Sequence, residues 1–250
     1  MPPWQLLDSA LITGSKNELR LYRREQEFSI RVNDEELMNS RVYSSEDRFS
    51  ELGCERIRGR DGPRVLIGGL GMGYSLRAAL DNLPAAAEVI LAELVPQVVT
   101  WNRDQLGHLA GHPLDDPRVQ LREIDVARVL REARAAYDLI LLDVDNGPEG
   151  LTRKANDWLY ARAGLEAARR ALRPDGVLGF WASGPDQSFV QRLEQVGFAV
   201  ETAAVRAADG CYGVLHTVWF AVVHDGARAV GDEPDPAETD ESGPSAWHRN

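Results

Sequence analysis

The chain predicts an α/β protein in which a doubly wound, mostly parallel sheet of seven strands is closed by an antiparallel C-terminal hairpin and preceded by a small β-rich appendage. Three observations carry this. From Val65 to Val196, short and wholly apolar runs alternate with amphipathic ones, the pattern of strands covered by helices on both faces. The last two apolar runs, Phe198 to Val205 and Val214 to Val223, are joined by a short glycine-containing loop that cannot make a crossover, so they must pair antiparallel. Near the N-terminus, apolar and polar residues alternate with period two on both sides of Arg24-Glu25-Gln26, which reads as a hairpin.

In chain order, residues 1–45 form the appendage. Leu19 and Leu21 alternate on one side of the first turn and Phe28, Ile30 and Val32 on the other, Asn33-Asp34 makes a second turn, and Leu37-Met38 begins a short third strand. Such an appendage is expected to be a packing or dimer platform. Residues 46–224 form the main domain. A helix over Glu46 to Ile57 places Phe49, Leu52 and Ile57 on one side. The breaker run Arg60-Asp61-Gly62-Pro63 ends it, and the first strand of the large sheet follows at Val65–Gly68. Helices are predicted at Tyr74–Leu83, Val95–Leu109, Val126–Ala136, Trp158–Leu172 and Gln187–Val196, between strands at Val89–Ala92, Val119–Leu121, Tyr137–Leu142 and Val177–Trp181. Residues 225–250 hold seven acidic and two basic residues with few apolar ones, the composition of a flexible acidic tail.

A formal net charge of −11 argues against nucleic acid or an anionic membrane as partner, since both call for a basic surface. No run approaches the roughly 18 apolar residues a bilayer span needs, and no charged-then-apolar leader precedes the first strand; a cytoplasmic protein is expected. Cys54 and Cys211 stand far apart without a CxxC pair and read as reduced thiols. His108 and His112 have helical ligand spacing, but Gly111 and Pro113 surround His112, so no metal site is expected.

The stretch VLIGGLGMG, Val65 to Gly73, organises the functional reading. Gly69, Gly71 and Gly73 follow a strand and open a helix, so backbone can approach a nucleotide where a side chain would collide. Ligands in open α/β sheets sit beyond the carboxyl ends of strands, which makes the residues just after each strand the candidates. Glu93 follows the second strand of the large sheet, 22 positions past Gly71, and can accept both ribose hydroxyls. Asp125 follows the third and can accept from an adenine amino group, or cap the next helix. Asp143 follows the fourth, with Asp145 two residues on. A parallel sheet ending in a hairpin marks the class I methyltransferase-like Rossmann fold and points to S-adenosyl compounds over nicotinamide ones.

The segments IGGLGMGYSLR, AELVPQVVTWNR, DDPRVQL, YDLILLDVDNGP, NDWLY and LRPDGVLGFW resemble those of the spermidine synthase-like proteins, over about Leu19 to Val223. The resemblance implies that Glu93 holds the ribose, Asp125 the adenine, and Asp143 the attacking amine, and that the protein forms a homodimer. Three features depart from the family pattern. Leu70 and Met72 flank Gly71 where spermidine synthases place an aspartate; the D-S-S-D loop reads Asp143-Val144-Asp145-Asn146; and Tyr-His-Glu reads Phe49-Ser50-Glu51. A dication such as putrescine needs carboxylates at both ends, because two ammonium groups cannot be desolvated without partners. The expected function is therefore S-adenosylmethionine-dependent methyl transfer to a small molecule, with Asp143 and Asp145 catalytic and an amine among the possible acceptors. Glu51, Trp158, Tyr160 and Trp181 are candidates for the acceptor pocket. Aminopropyl transfer from decarboxylated S-adenosylmethionine is the alternative, followed by a non-catalytic nucleotide-binding protein and, last, a dehydrogenase.

Overall fold

The N-terminal residues build an antiparallel sheet of four strands in sequential order: β1 (Gln5–Leu11), β2 (Glu18–Arg24), β3 (Glu27–Val32) and β4 (Glu35–Asn39), in a computed structural model that describes residues 2–144, 157–207 and 214–223. The hairpin predicted from alternation is β2–β3, with Leu21 opposite Ile30 and Glu25 at φ +57° in the turn. Strand β1 was not predicted. A register shift between Leu6 and Asp8 interrupts its alternation, so its sequence QLLDSAL carries no clean period.

Seven further strands form the large sheet: β5 (Arg64–Gly68), β6 (Glu88–Glu93), β7 (Val119–Glu123), β8 (Tyr137–Leu142), β9 (Leu172–Ala182), β10 (Phe198–Arg206) and β11 (Leu215–Val223). Their order is β10-β11-β9-β8-β5-β6-β7, with β5 to β9 parallel and β11 antiparallel to both its neighbours. This is the predicted class I methyltransferase-like topology. The order reverses at β5, so the connections leaving β5 and β8 diverge and open a crevice at their carboxyl ends.

Period-two alternation divides the core between the two faces. Val65, Ile67, Leu139, Leu141 and Phe220 pack with α1 (Ser44–Arg56), α2 (Tyr74–Asn82), α3 (Pro96–Arg103) and the N-terminal sheet. Leu66, Ile140, Leu142, Leu178 and Phe180 face α4 (Val126–Glu132), α6 (Arg162–Ala171) and α7 (Gln187–Gln195). Burying each such side chain contributes about 1.5–3 kcal/mol, which explains why strands apolar on both faces sit at the centre. Cys54 lies in the first core, where burial pushes its thiol up to about 12 and leaves it unreactive.

Several helices are shorter than the apolar pattern implies. The one starting at Pro96 ends at Arg103, and Gly107–Ala110 continues as a 3-10 turn; His112, at φ +58°, lies outside any helix. That starting at Val126 ends at Glu132, because Ala135 and Ala136 turn their N–H groups to Arg170 and Ala171 carbonyls. The predicted helix from Trp158 to Leu172 is broken at extended Ala161 into α5 (Asp157–Tyr160) and α6, and its last residue already belongs to β9. Gly164 lets the two pieces close up: a Cβ there would lie 2.0 Å from the Trp158 carbonyl oxygen. Among the described residues no helix is long and apolar enough to cross a membrane. Cys211 and the acidic tail over residues 225–250 lie outside the described residues.

Candidate active site

The crevice is built from the strand ends. After β5 the chain turns through Gly69, Gly71 and Gly73, at φ +93°, +52° and +87°, a region L side chains rarely occupy. Gly69 is the most constrained, since a Cβ would stand 2.1 Å from the Asp143 carbonyl oxygen. Gly73 directly precedes α2. The loop is held by its own bonds: Gly69 N–H donates to Ala92 O at 2.9 Å, Gly73 N–H to Leu70 O at 2.8 Å, and Asn102 Nδ2 donates to Gly71 O at 2.8 Å.

Glu93, at the end of β6, is buried and clamps this loop. Its Oε2 accepts from Leu70 N–H at 2.9 Å and its Oε1 from Val95 N–H at 2.8 Å. Burial pushes its carboxyl up, opposed by these backbone donors. Asp125 Oδ1 accepts from Ala127 N–H at 2.8 Å and caps α4, so the capping reading holds while the residue also lines the crevice. Asp143, after β8, is partly exposed to the crevice and accepts from Ser75 Oγ at 2.6 Å, which fixes its carboxylate against the start of α2. Burial raises its carboxyl, and the Ser75 bond opposes the rise.

These groups line one cavity of about 140 Å³ together with Gly69 and Gly71. A fourth carboxylate, Glu46, joins them from the first turn of α1. Glu46 is buried and accepts from Ser45 Oγ; burial first, then the charge of Asp143, push it up to about 7. Sequence reading passed over it because an acid in a helix's first turn ordinarily serves the helix dipole in solvent. The signal available was its place on the same side of α1 as buried Phe49, three residues on.

The acceptor-pocket candidates separate. Trp181 lines the cavity; it is 7% exposed, and its Nε1 has no hydrogen-bond partner. Tyr160 is core, packed on Phe180 and Phe189, and Trp158 carries the Arg131 guanidinium 3.9 Å from its ring centroid. Neither lines the cavity. Glu51 sits on the outer side of α1, 3.0 Å from Arg48 in a surface ion pair, and does not reach it either. Leu70 and Met72 are buried in the core and do not face the cavity, so their lack of charge does not describe it. The N-terminal segment does: Leu19, Ile30, Leu37 and Met38 of its sheet, with Ile12 just past β1, form a wall. The appendage is thus part of the cavity and more than the packing platform expected. Asp145 lies outside the described residues.

The strand order and a carboxylate-lined crevice beyond the ends of β5 to β8 define a Rossmann-like α/β protein of the class I methyltransferase type. Its family is narrower: the chain belongs to the spermine/spermidine synthase family, whose domain model matches residues 60–196, more than half of the chain. It is 32% identical over 143 residues to polyamine aminopropyltransferase 1 of Streptomyces coelicolor, covering 54% of this chain and 26% of that protein. To putrescine N-methyltransferase 4 of Nicotiana tabacum it is 36% identical over 116 residues, covering 46% and 28%. The chain therefore spans well under half the length of these curated relatives. The spermidine synthase structure from Thermotoga maritima aligns with a TM-score of 0.68 at 18% identity, over 87% of this chain and 72% of that one.

Proposed function

We propose that the protein transfers an aminopropyl group from decarboxylated S-adenosylmethionine to an amine. The observation that carries this is the charge of the cavity: Glu46, Glu93, Asp125 and Asp143 line it, and among the described residues no lysine or arginine does. S-Adenosylmethionine would bring a carboxylate into this acidic space without a cationic partner, while three loop amides, those of Gly69, Leu70 and Gly73, are already engaged within the protein. Its decarboxylated form brings a sulfonium and an ammonium, which the carboxylates lining the cavity favour. This reverses the order reached from sequence, which rested on three departures from the family pattern, the apolar Leu70 and Met72 first among them. Both side chains turn out to be core.

In this reading Glu93 holds the ribose hydroxyls, Asp125 faces the adenine, and Gly69 and Gly71 let the backbone lie against the nucleoside. Asp143, fixed by Ser75, orients the acceptor nitrogen. That nitrogen's lone pair attacks the carbon next to the sulfonium; a C–N bond forms, the C–S bond breaks, and its electron pair returns to sulfur as a neutral thioether. The proton released from nitrogen passes to Asp143 or Glu46; burial raises both carboxyls, and Glu46, pushed up to about 7, suits a general base near neutral pH. Asp145 remains a second candidate acid. The polyamine aminopropyltransferase relatives support this reading. Methyl transfer is the second reading, and similarity to putrescine N-methyltransferases favours it.

Calorimetry with the two nucleotides tests the choice. Decarboxylated S-adenosylmethionine is expected to bind at least about tenfold more tightly, about 1.4 kcal/mol. Equal or tighter binding of S-adenosylmethionine, with a methylated amine as product, would reverse it.

A further inference from the structure

Among the described residues, the cavity is acidic at one end only. The four carboxylates that line it, Glu46, Glu93, Asp125 and Asp143, come from α1 and from the strand ends of the large sheet, while the described residues of the N-terminal sheet contribute nothing charged to the lining. Register explains why. Ile30 of β3 stands opposite Leu21 on one side and Met38 on the other, and Leu19 pairs with Val32, so one apolar face of the sheet is presented as a block. Leu19 and Ile30 are buried, and Met38 approaches Gly71 closely enough that a Cβ there would meet its sulfur at 2.9 Å. Trp181 lines the same cavity, and its buried, unpartnered Nε1–H is a group that packed core would not leave unpaired.

We infer that the acceptor is a monoamine: one amino group beside Asp143 and Glu46, carried on an apolar body that lies against Leu19, Ile30, Leu37 and Met38. This rests on the transferase reading above and narrows its substrate. Glu93 and Asp125 serve the nucleoside, which leaves Glu46 and Asp143, among the described residues, for the donor's ammonium and the reacting nitrogen. A diamine's distal ammonium would be stripped of water against aliphatic side chains with no counter-charge among the described residues, whereas a methyl group in that place gains by burial.

Putrescine and n-pentylamine test this directly, because they have the same number of heavy atoms and differ only in whether the far end is ammonium or methyl. With the purified full chain and decarboxylated S-adenosylmethionine, formation of the thioether nucleoside and of the alkylated amine is followed by mass spectrometry. A kcat/KM at least tenfold higher for n-pentylamine is expected. Equal use or preference for putrescine overturns the inference while leaving the transferase reading intact. If the donor binds and neither amine is alkylated, the transferase reading falls and the inference with it. Met38→Glu supplies the missing carboxylate and should move the preference at least tenfold toward putrescine; an unchanged ratio in a folded Met38→Glu protein, or in Leu37→Glu should the first not fold, also overturns it.

Discussion

At Glu46, loss of water and the neighbouring charge of Asp143 both favour the protonated form, and the carboxyl is pushed up to about 7 from an ordinary 4.5. The consequence for stability has a definite sign. Between those two values the folded state binds more protons than the unfolded one, so stability falls as pH rises from about 4.5 to about 7 and stays reduced above that. Glu46→Gln, which can still accept from Ser45, should melt close to the parent at pH 4.5 and above it at pH 8; a melting difference independent of pH would count against this account. Asp143→Asn keeps the shape of the Ser75 contact but cannot accept a proton, and should lower kcat by at least about a hundredfold. Steady-state rates with donor binding measured alongside would show whether chemistry or affinity is lost.

Among the elements, the turn from β5 into α2 is the most constrained. Gly69 combines φ +93° with a Cβ position 2.1 Å from the Asp143 carbonyl, and the same strand ends are tied by Asp143 N–H donating to Gly68 O at 3.0 Å. A methyl group there cannot be absorbed by a side-chain rotation, since the neighbour is backbone. Gly69→Ala is expected to cost at least about 2 kcal/mol in urea unfolding, strain and clash together. A change under about 0.5 kcal/mol would mean that the β5 and β8 ends separate freely. The glycine pattern was legible in sequence because positive φ leaves a compositional trace. The break of the Trp158–Leu172 helix at Ala161 left none, as alanine fits helix and extended backbone alike.

Across the whole molecule, Asp138 is the junction between distant segments. It accepts from Arg60 Nη1 at 2.6 Å, from Arg173 Nη1 at 2.7 Å and from the Arg64 backbone at 2.8 Å, joining the chain after α1, the start of β5 and the start of β9. Its side chain is buried, and removing it strands two guanidinium groups in a partly enclosed site. Asp138→Ala should destabilise by about 3 kcal/mol, read from the urea midpoint at unchanged slope, without altering the preference between donor nucleotides. The junction lies at the opposite end of the strands from the cavity, which separates stability from binding in that test.

The sequence by itself determined the sheet, the hairpin that closes it, the glycine turn and the three acids after three strands, because local periodicity and strand ends are written in consecutive residues. Tertiary structure decided what faces the cavity. Leu70 and Met72 sit beside Gly71 in the chain yet turn into the core, while Glu46 and Met38, 25 and 33 residues before it, reach the cavity from α1 and β4. The physical reason is that the direction of a side chain depends on which face of an element is covered, and two sheets meeting around one crevice settle that only once they pack.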